Sequence, residues 1–359
     1  MTAIDHPKTA NEITRDWIGF ALEEAGICKN SQVIAIDVKP LGGDVSGFLS
    51  SICRVNLSYD SLGPGLPASY VIKFPPAEDI NRKFAQTFRA NERELLFYRQ
   101  IAPGAPLRIP KCYYSVMEEE TGNYVLVLED EKDWKTGNQV EGLSRKQVET
   151  AIREIAKLHA QWWDSPKLKR LDWMPHQNRD IKSSFAENWP EFSEEHRDIL
   201  SERDIKAGDL ISQSGEKIQE LIHSDPMTIA HTDFRADNLM FMGEDKVLVL
   251  DWQVACRMTG AFDVARVVCG SLKEEITYED HLGLVDMWYD ELVREGVSDY
   301  TLGEAWRDYR SALIYCSYVP VTAHHLISHE GSRGVPLLKA MITRMFRAIH
   351  ECRALELLK

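Results

Sequence analysis

Three polar residues, bracketed by apolar sequence, constrain this chain more than any other feature. Asp233 and Asn238 stand five residues apart in the segment 231–238, which reads His-Thr-Asp-Phe-Arg-Ala-Asp-Asn and has the character of a loop. Asp251 follows thirteen residues after Asn238, at the end of an apolar run that predicts a strand. Residues 239–250 contain two short apolar runs around a Gly-Glu-Asp-Lys turn, which predicts a β-hairpin. The hairpin would bring Asn238 beside Asp251, and such oxygen ligands with a third carboxylate nearby suit Mg²⁺ and a hydroxyl nucleophile.

Length and composition exclude several classes of protein. With 359 residues the chain can form two domains or one large unit of two lobes. A formal net charge of −14 argues against a nucleic-acid partner, which needs a basic face. The seven cysteines are odd in number and include no Cys-x-x-Cys pair, so a reducing compartment is expected. Without an apolar leader or a run of 18 apolar residues, the sequence predicts a cytoplasmic protein with no membrane span.

The spacing of apolar residues divides the chain near residue 129. We expect a nucleotide-binding lobe over residues 1–128 and a helical catalytic and substrate lobe over residues 129–359, which makes an α+β fold. The predicted elements of the first lobe are helices over 12–25 and 81–101, strands over 32–41, 50–59 and 69–74, and a hairpin over 111–118 and 123–128. In the second lobe, helical patterns cover 143–163, most of 165–225, and 280–359.

Lys73 stands in an apolar strand, where a buried ammonium group is costly unless an anion accompanies it. The partner could be a nucleotide phosphate, a helix carboxylate, or both. The following helix offers Glu94 as the better candidate and Glu92 as the second. Taken alone, Lys73 is better interpreted as a solvated lysine on an edge strand. Only the motifs in residues 231–251 favour the interpretation that it pairs with an anion.

The loop at residues 42–47 reads Gly-Gly-Asp-Val-Ser-Gly and lies between two predicted strands. Gly42, Gly43, Ser46 and Gly47 would let backbone N–H groups approach phosphates. The loop matches neither Gly-x-Gly-x-x-Gly nor a Walker loop. Its position about thirty residues before Lys73 is therefore its only support as a phosphate-binding loop.

These parts together predict phosphoryl transfer. Asp233 would orient a hydroxyl group and accept its proton, while Asn238 and Asp251 would hold Mg²⁺, a division of labour that matches the known pattern of kinases. His231 is expected to brace the loop, and Asp263 to tie the loop to a following helix. A rival hypothesis, a hydrolase with His231, Asp233 and Asp237 as metal ligands, explains neither the strand lysine nor the glycine loop.

The chain resembles the aminoglycoside phosphotransferase and choline kinase superfamily, and within it the ecdysteroid-kinase-like (CHK kinase-like) group and its bacterial relatives. Besides residues 231–238 and the Asp-Trp-Gln at 251–253, the motifs are Ser-Tyr-Val-Ile-Lys-Phe-Pro at 69–75, Glu-Leu-Leu-Phe-Tyr at 94–98, Val-Leu-Glu-Asp at 127–130 and Leu-His-Ala-Gln-Trp-Trp at 158–163. The resemblance implies a protein-kinase-like bilobal fold, ATP and Mg²⁺. It also implies that Lys73 pairs with Glu94 and meets the phosphates, and that a hinge at residues 128–131, which includes Glu129 and Glu131, contacts adenine.

Two departures from the family pattern matter. Thr232 stands where many members have glycine. Asp-Trp-Gln replaces the Asp-Phe-Gly of protein kinases, and only twelve residues separate Asp251 from Asp263, which leaves little room for an activation loop. We therefore expect an ATP-dependent kinase, monomeric or homodimeric, that phosphorylates a small-molecule alcohol such as an antibiotic, a steroid, choline or a hydroxyacyl compound. The alternatives are a catalytically inactive nucleotide-binding module and a protein kinase.

Two sets of residues in the helical lobe have more than one interpretation. Most of its tryptophans and tyrosines are expected in the core, namely Trp173, Trp189, Trp288, Trp306, Tyr315 and Tyr318. His324, His325 and His329 raise the possibility of zinc. Because the pattern His-Glu-x-x-His is absent, exposed or pocket-lining histidines are the preferred interpretation.

Overall fold

The computed structural model describes residues 5–28, 31–41, 50–61, 66–76, 78–118, 120–176, 181–223, 225–328 and 331–359. The chain forms two compact units, the first comprising residues 1–105, 109–133 and 251–254, and the second residues 106–108, 134–250 and 255–359. The glycine-rich loop predicted at 42–47, with Gly42, Gly43, Ser46 and Gly47, lies outside the described residues, as does His329. Within these ranges, no helix is long and apolar enough to cross a membrane.

A five-stranded antiparallel sheet forms the first unit, with the strand order β1-β2-β3-β5-β4. Its strands are β1 (Val33–Leu41), β2 (Ser51–Tyr59), β3 (Ser69–Phe74), β4 (Cys112–Met117) and β5 (Tyr124–Glu129). Helix α1 (Arg15–Glu24) begins at Thr14, whose side chain accepts from the Trp17 N–H, and it buries Trp17 and Leu22 in the core with the sheet. Each predicted strand lies within two residues of its observed position.

Two helices follow β3 where the sequence pattern predicts one. Helix α2 (Asp79–Thr87) ends before Arg89, which has a left-handed backbone with φ of 51°, and α3 (Ala90–Gln100) begins directly after it. The break was not predicted because no glycine or proline marks it. It matters because α3 starts a new direction and buries Glu94 completely.

The second unit is mainly helical. Its helices are α4 (Arg145–Trp162), α5 (Ile181–Glu195), α6 (Glu202–Gln213), α7 (Gly215–Ile222), α8 (Ala261–Ser271), α9 (Tyr278–Arg294), α10 (Leu302–Cys316), α11 (Tyr318–Thr322), α12 (His324–Ser328) and α13 (Gly334–Glu351). Reciprocal side-chain caps start α4, α6, α9 and α10; in α4, Ser144 and Gln147 each bond the other's backbone. Helix α8 is buried along its whole length, and α4, α10 and α13 pack against it.

Short strands in the second unit hold the segment 228–258 in place. Strands β8 (Leu239–Met242) and β9 (Lys246–Val249) form the predicted hairpin, which turns at Gly243 with φ of 68°. A two-residue strand β6 (Lys135–Thr136) extends it, and β7 (Thr228–Ala230) pairs with β10 (Cys256–Met258). At the hairpin mouth the Leu250 N–H donates to the Asn238 carbonyl at 2.8 Å, one residue before Asp251.

Other sequence expectations concern the core. All seven cysteines are free thiols, and six are buried. Five of the six aromatic residues expected in the core of the helical part are less than one-tenth exposed, which confirms that interpretation for all but the half-buried Trp306. They therefore contribute to packing.

Candidate functional site

In the first unit, Lys73 on β3 donates to two carboxylates. Its ammonium nitrogen lies 2.7 Å from Glu94 Oε1 and 3.0 Å from Asp251 Oδ1. Lys73 and Glu94 are buried, whereas the Asp251 side chain is 37% exposed. Although burial favours the neutral amine, the Asp251 and Glu94 carboxylates raise the pKa of Lys73. The lysine is thus a fixed cation, held by a buried anion on one side and an accessible one on the other.

Glu94 is the most enclosed member of this group, with no exposed surface. Burial raises the pKa of its carboxyl to about 7, against the opposing effects of the Lys73 ammonium and a backbone N–H from Trp252. The Tyr124 hydroxyl approaches its second oxygen at 3.4 Å, and Gln253 bonds that hydroxyl at 3.3 Å. The Trp252 ring stacks on Phe97 at 4.0 Å. Residues that follow Asp251 therefore support both the helix and the carboxylate that position Lys73.

The end of β5 carries the residues expected to form a hinge. Glu129 bonds Lys111 through its backbone and its carboxylate, and Glu131 is half-buried. Between them Asp130 accepts two hydrogen bonds from Arg54 at 2.8 and 3.0 Å, and one from Ser69 at 2.6 Å. Sequence reasoning placed Asp130 in a motif but gave it no role; its bonds fix the chain where it leaves the sheet.

In the second unit, the buried Asp263 on α8 organises the loop that begins at His231. Its two oxygens accept the backbone N–H groups of His231 at 2.7 Å and Thr232 at 2.8 Å. The same carboxylate lies 3.2 Å from His159 Nε2, while the Trp288 indole donates to the other nitrogen of that ring. Because the indole can only donate, His159 carries its proton on Nε2 and donates it to Asp263. The predicted structural role of Asp263 is confirmed.

His231 has the bracing geometry expected from sequence. Its Nε2 lies 2.7 Å from the Leu250 carbonyl, to which it can only donate, and its Nδ1 accepts the Asp233 N–H at 3.3 Å. Both ring nitrogens are therefore engaged in holding the loop against the hairpin. This geometry argues against the rival hypothesis of a hydrolase in which His231 ligates a metal.

Asp233 is 27% exposed and carries two arginine contacts. Arg235 Nε donates to Oδ2 at 2.9 Å and Arg266 donates to Oδ1 at 3.0 Å. Although burial favours the neutral acid, these two guanidinium groups hold the pKa of Asp233 well below its ordinary range. The carboxylate therefore stays ionised at any physiological pH.

Asn238 is turned so that its amide nitrogen faces Asp233. The nitrogen donates to both the backbone carbonyl and the carboxylate of Asp233 at 2.9 Å. Among the described residues none donates to the Asn238 side-chain carbonyl oxygen, so that oxygen is suited to a cation. An amide oxygen of this kind is among the donors that magnesium prefers.

Sequence reasoning missed the arginines around the loop. Arg235 also reaches Gln139 at 2.9 Å and Asp237, and Asp237 accepts from Arg333 at 2.6 Å. Arg266 is buried on α8. Its position three residues after Asp263 was the one feature of the sequence that could have indicated a role for it. These contacts give the Asp233 loop more cationic neighbours than the acidic composition of the chain suggests.

Thr232 adopts a left-handed backbone with φ of 65°, which explains why glycine suits this position. We expect Thr232→Gly to raise the Tm by about 1 °C, because a non-glycine residue in this region costs about 1–2 kcal/mol and the entropy of glycine offsets part of it. Calorimetry of Thr232→Gly beside Thr232→Ala provides the measurement. The alanine variant keeps the backbone strain, so an equal gain in both variants would contradict this explanation.

Comparisons with known proteins agree with the fold and the motifs. The profile of the "Phosphotransferase enzyme family" matches residues 56–310. No curated protein sequence matches the chain. A proposed aminoglycoside phosphotransferase of Ralstonia eutropha JMP134 aligns with a TM-score of 0.54 at 14% identity, covering 96% of this chain and 99% of that one.

Two further solved structures are similar over most of their length. The gentamicin complex of APH(2″)-IIa has a TM-score of 0.51 at 14% identity, with coverage of 92% and 99%. A GDP complex of a mutant aminoglycoside 2′-phosphotransferase-IIIa aligns with a TM-score of 0.52 at 15% identity, covering 88% of this chain and 95% of that one. At these identities the similarity concerns the fold, and the predicted α+β kinase-like fold is confirmed. The narrower resemblance to the ecdysteroid-kinase-like group stays a prediction.

Proposed function

Because the chain belongs to the phosphotransferase enzyme family, we propose that it transfers the terminal phosphoryl group of ATP to a hydroxyl group of a small molecule. The observation that carries the proposal is the ionised, partly exposed Asp233, held by Arg235, Arg266 and Asn238 in the second unit. The buried Lys73–Glu94 pair of the first unit supports it, since a fixed cation of this kind suits nucleotide phosphates.

Asp233 acts in this proposal on the acceptor. Its carboxylate orients the hydroxyl group by accepting a hydrogen bond and takes the proton as the new P–O bond forms and the bond to the leaving diphosphate breaks. A low pKa suits this role, since in a loose transition state the hydroxyl loses its proton late and positioning matters more than basicity. Arg235, Arg266 and Asn238 hold the carboxylate in one orientation.

Lys73 is assigned to the nucleotide phosphates, with Glu94 as the residue that positions it. The side-chain oxygens of Asn238 and Asp251 suit Mg²⁺, which would neutralise charge on the phosphates when bound. Gly42, Gly43, Ser46 and Gly47 remain candidates for phosphate contact, and Glu129 and Glu131 for backbone contact with adenine.

The charge around Asp233 bears on the acceptor. Three arginines, Arg235, Arg266 and Arg333, contact the two carboxylates of Asp233 and Asp237. Two of these arginines, Arg235 and Arg266, bond Asp233 itself, so cations outnumber anions at the carboxylate assigned to the acceptor, which disfavours a polycationic acceptor such as an aminoglycoside and favours a neutral or anionic alcohol. The short segment after Asp251 argues against a protein acceptor.

The decisive experiment measures ATP consumption over a panel of neutral, anionic and polycationic alcohols, with Mg²⁺ and with chelator. We expect stimulated turnover with a neutral or anionic alcohol, lost on chelation and in Asp251→Asn. Asp286→Asn, which changes a carboxylate on α9 to the same amide, serves as the matched control. ATP binding without turnover on any acceptor would favour the alternative, an inactive nucleotide-binding module. A fully active Asp251→Asn would contradict the metal assignment.

The pH dependence of turnover tests whether Arg235 and Arg266 lower the pKa of Asp233. Because Arg235 and Arg266 depress the pKa of Asp233, wild-type kcat should not respond to this carboxylate anywhere above pH 5. Arg235→Leu removes one of the two arginines and so raises the pKa of Asp233. The acid limb of the profile of kcat against pH should therefore move up by about one pH unit or more. Arg197→Leu, which removes an exposed arginine of the same unit, is the control. Superimposable profiles for Arg235→Leu and wild type would show that Asp233 is not the titrating base.

A further inference from the structure

A group of histidines and glutamates in the second unit lies outside the proposed catalytic residues. Glu195 and His196 stand at the C-terminal end of α5, and His324 opens α12. One potential ligand atom from each of the three lies within 4.8 Å of the other two. The sequence favoured exposed or pocket-lining histidines here, and His324 is not an exposed one, since it is only 1% exposed.

Both imidazoles present buried nitrogens that have no hydrogen-bond partner in the part of the chain that the structure describes. His324 Nδ1 lies 3.3 Å from Glu195 Oε2, which leaves its Nε2 as the second functional atom. That Nε2 and the Nε2 of His196 are buried, and neither hydrogen-bonds to any described residue. A buried nitrogen with no partner costs free energy, so two such atoms in one cluster indicate a ligand that satisfies them both.

The surroundings favour a cation with nitrogen ligands. A neutral imidazole keeps one nitrogen unprotonated, and that nitrogen is the atom that binds metals. Phe192 packs edge-on against both rings at 4.7 and 5.4 Å and limits their movement. The C-terminal end of α5 adds the negative end of a helix dipole.

We propose that Glu195, His196 and His324 form a site for a divalent transition metal, with Zn²⁺ as the ion that this ligand set fits best. Zinc bonds of about 2.0–2.1 Å in a tetrahedron place ligand atoms about 3.4 Å apart, so atoms that lie within 4.8 Å of one another need approach by at most about 1.4 Å, which side-chain rotation can supply. Two imidazoles and a carboxylate are a known zinc set, and solvent supplies the fourth ligand. Magnesium, which prefers oxygen ligands, should not compete.

The metal would join two segments far apart in sequence. His196 and His324 are separated by 128 positions in the sequence, so the bound ion would link α5 to α12. Helix α12 precedes Arg333, which pairs with Asp237 on the loop of Asp233. The adjacent Glu191 and His325 form a second group with His324 and are more exposed, which makes them a path for the ion from solvent.

Zinc titration of the chelator-stripped full chain by calorimetry, with Mg²⁺ present to fill oxygen sites, tests the proposal. We expect one Zn²⁺ per chain, with affinity reduced about 100-fold or more in His196→Gln and His324→Gln and about 10-fold in Glu195→Gln. At zinc 100-fold above its Kd, the wild-type Tm should rise by about 3–4 °C. His176→Gln, which removes an exposed imidazole of the same unit, should leave both values unchanged.

The outcomes that overturn the proposal are specific. Equal zinc affinity in wild type and His196→Gln would place the ion elsewhere in the protein, and no binding by the wild type would show that the two nitrogens are satisfied by water. The spectrum of bound Co²⁺ controls for the cysteines, since a thiolate charge-transfer band would assign the metal to a thiol. If the buried His324→Gln fails to fold, His196→Gln and the exposed Glu195→Gln still decide the question.

Discussion

Replacement of Asp233 by asparagine is expected to lower kcat by about 10²–10⁴-fold while ATP still binds, the usual contribution of a positioned general base. Asparagine keeps the shape of the side chain but loses the charge that orients the hydroxyl and receives its proton. The substitution also leaves the buried Arg266 without its carboxylate, so the Tm should fall as well. Steady-state kinetics, with nucleotide affinity and thermal unfolding measured on the same preparations, separate the loss of chemistry from the loss of stability.

Asp237→Asn is the matched control, because Asp237 lies on the same loop and pairs with the same Arg235. We expect it to retain kcat within about tenfold, since its contacts are with Arg235, Arg333 and the Gln139 N–H rather than with Asp233. The hydrolase hypothesis predicts the opposite, a large loss of kcat in Asp237→Asn, because it makes Asp237 a metal ligand. Equal losses in the two variants would remove the special role assigned to Asp233.

Local sequence patterns were sufficient for the elements that carry the site. The hairpin β8–β9 follows from two apolar runs around a glycine turn, and its register puts Asn238 opposite the residue before Asp251 without any long-range information. By contrast, the break at Arg89 falls on a left-handed arginine with φ of 51°, and no glycine or proline marks it in the sequence.

The parts that sequence could not supply are contacts between distant residues. Arg266 reaches Asp233 from a helix that begins 28 residues later, and its burial follows from the packing of α8. His196 and His324 meet only because α5 lies close to the segment that carries α12. A motif lists which chemical groups are present, whereas these tertiary contacts set their charge state and orientation.

Substitution of Lys73 by methionine is expected to destabilise the protein by about 3 kcal/mol at pH 7 and to lower kcat at least about 100-fold. Removal of one partner of a buried ion pair leaves Glu94, which has no exposed surface, without its countercharge. Glu94 limits the loss by taking up a proton, since burial already raises its pKa to about 7 with the lysine present. Denaturant unfolding of Lys73→Met and of Lys39→Met, an exposed lysine on β1, gives the comparison.

The sign of the pH dependence distinguishes this explanation from a simple packing defect. In Lys73→Met the pKa of folded Glu94 lies above its unfolded value of about 4.5, so folding takes up a proton and stability falls as pH rises through the folded pKa. The difference from wild type should therefore be small at pH 5 and large at pH 8. The double variant Lys73→Met/Glu94→Gln removes the buried charge and should recover about 2 kcal/mol at pH 8, although turnover stays low without the lysine. A double variant as unstable as Lys73→Met at both pH values would mean that lost packing, rather than an uncompensated carboxylate, accounts for the effect.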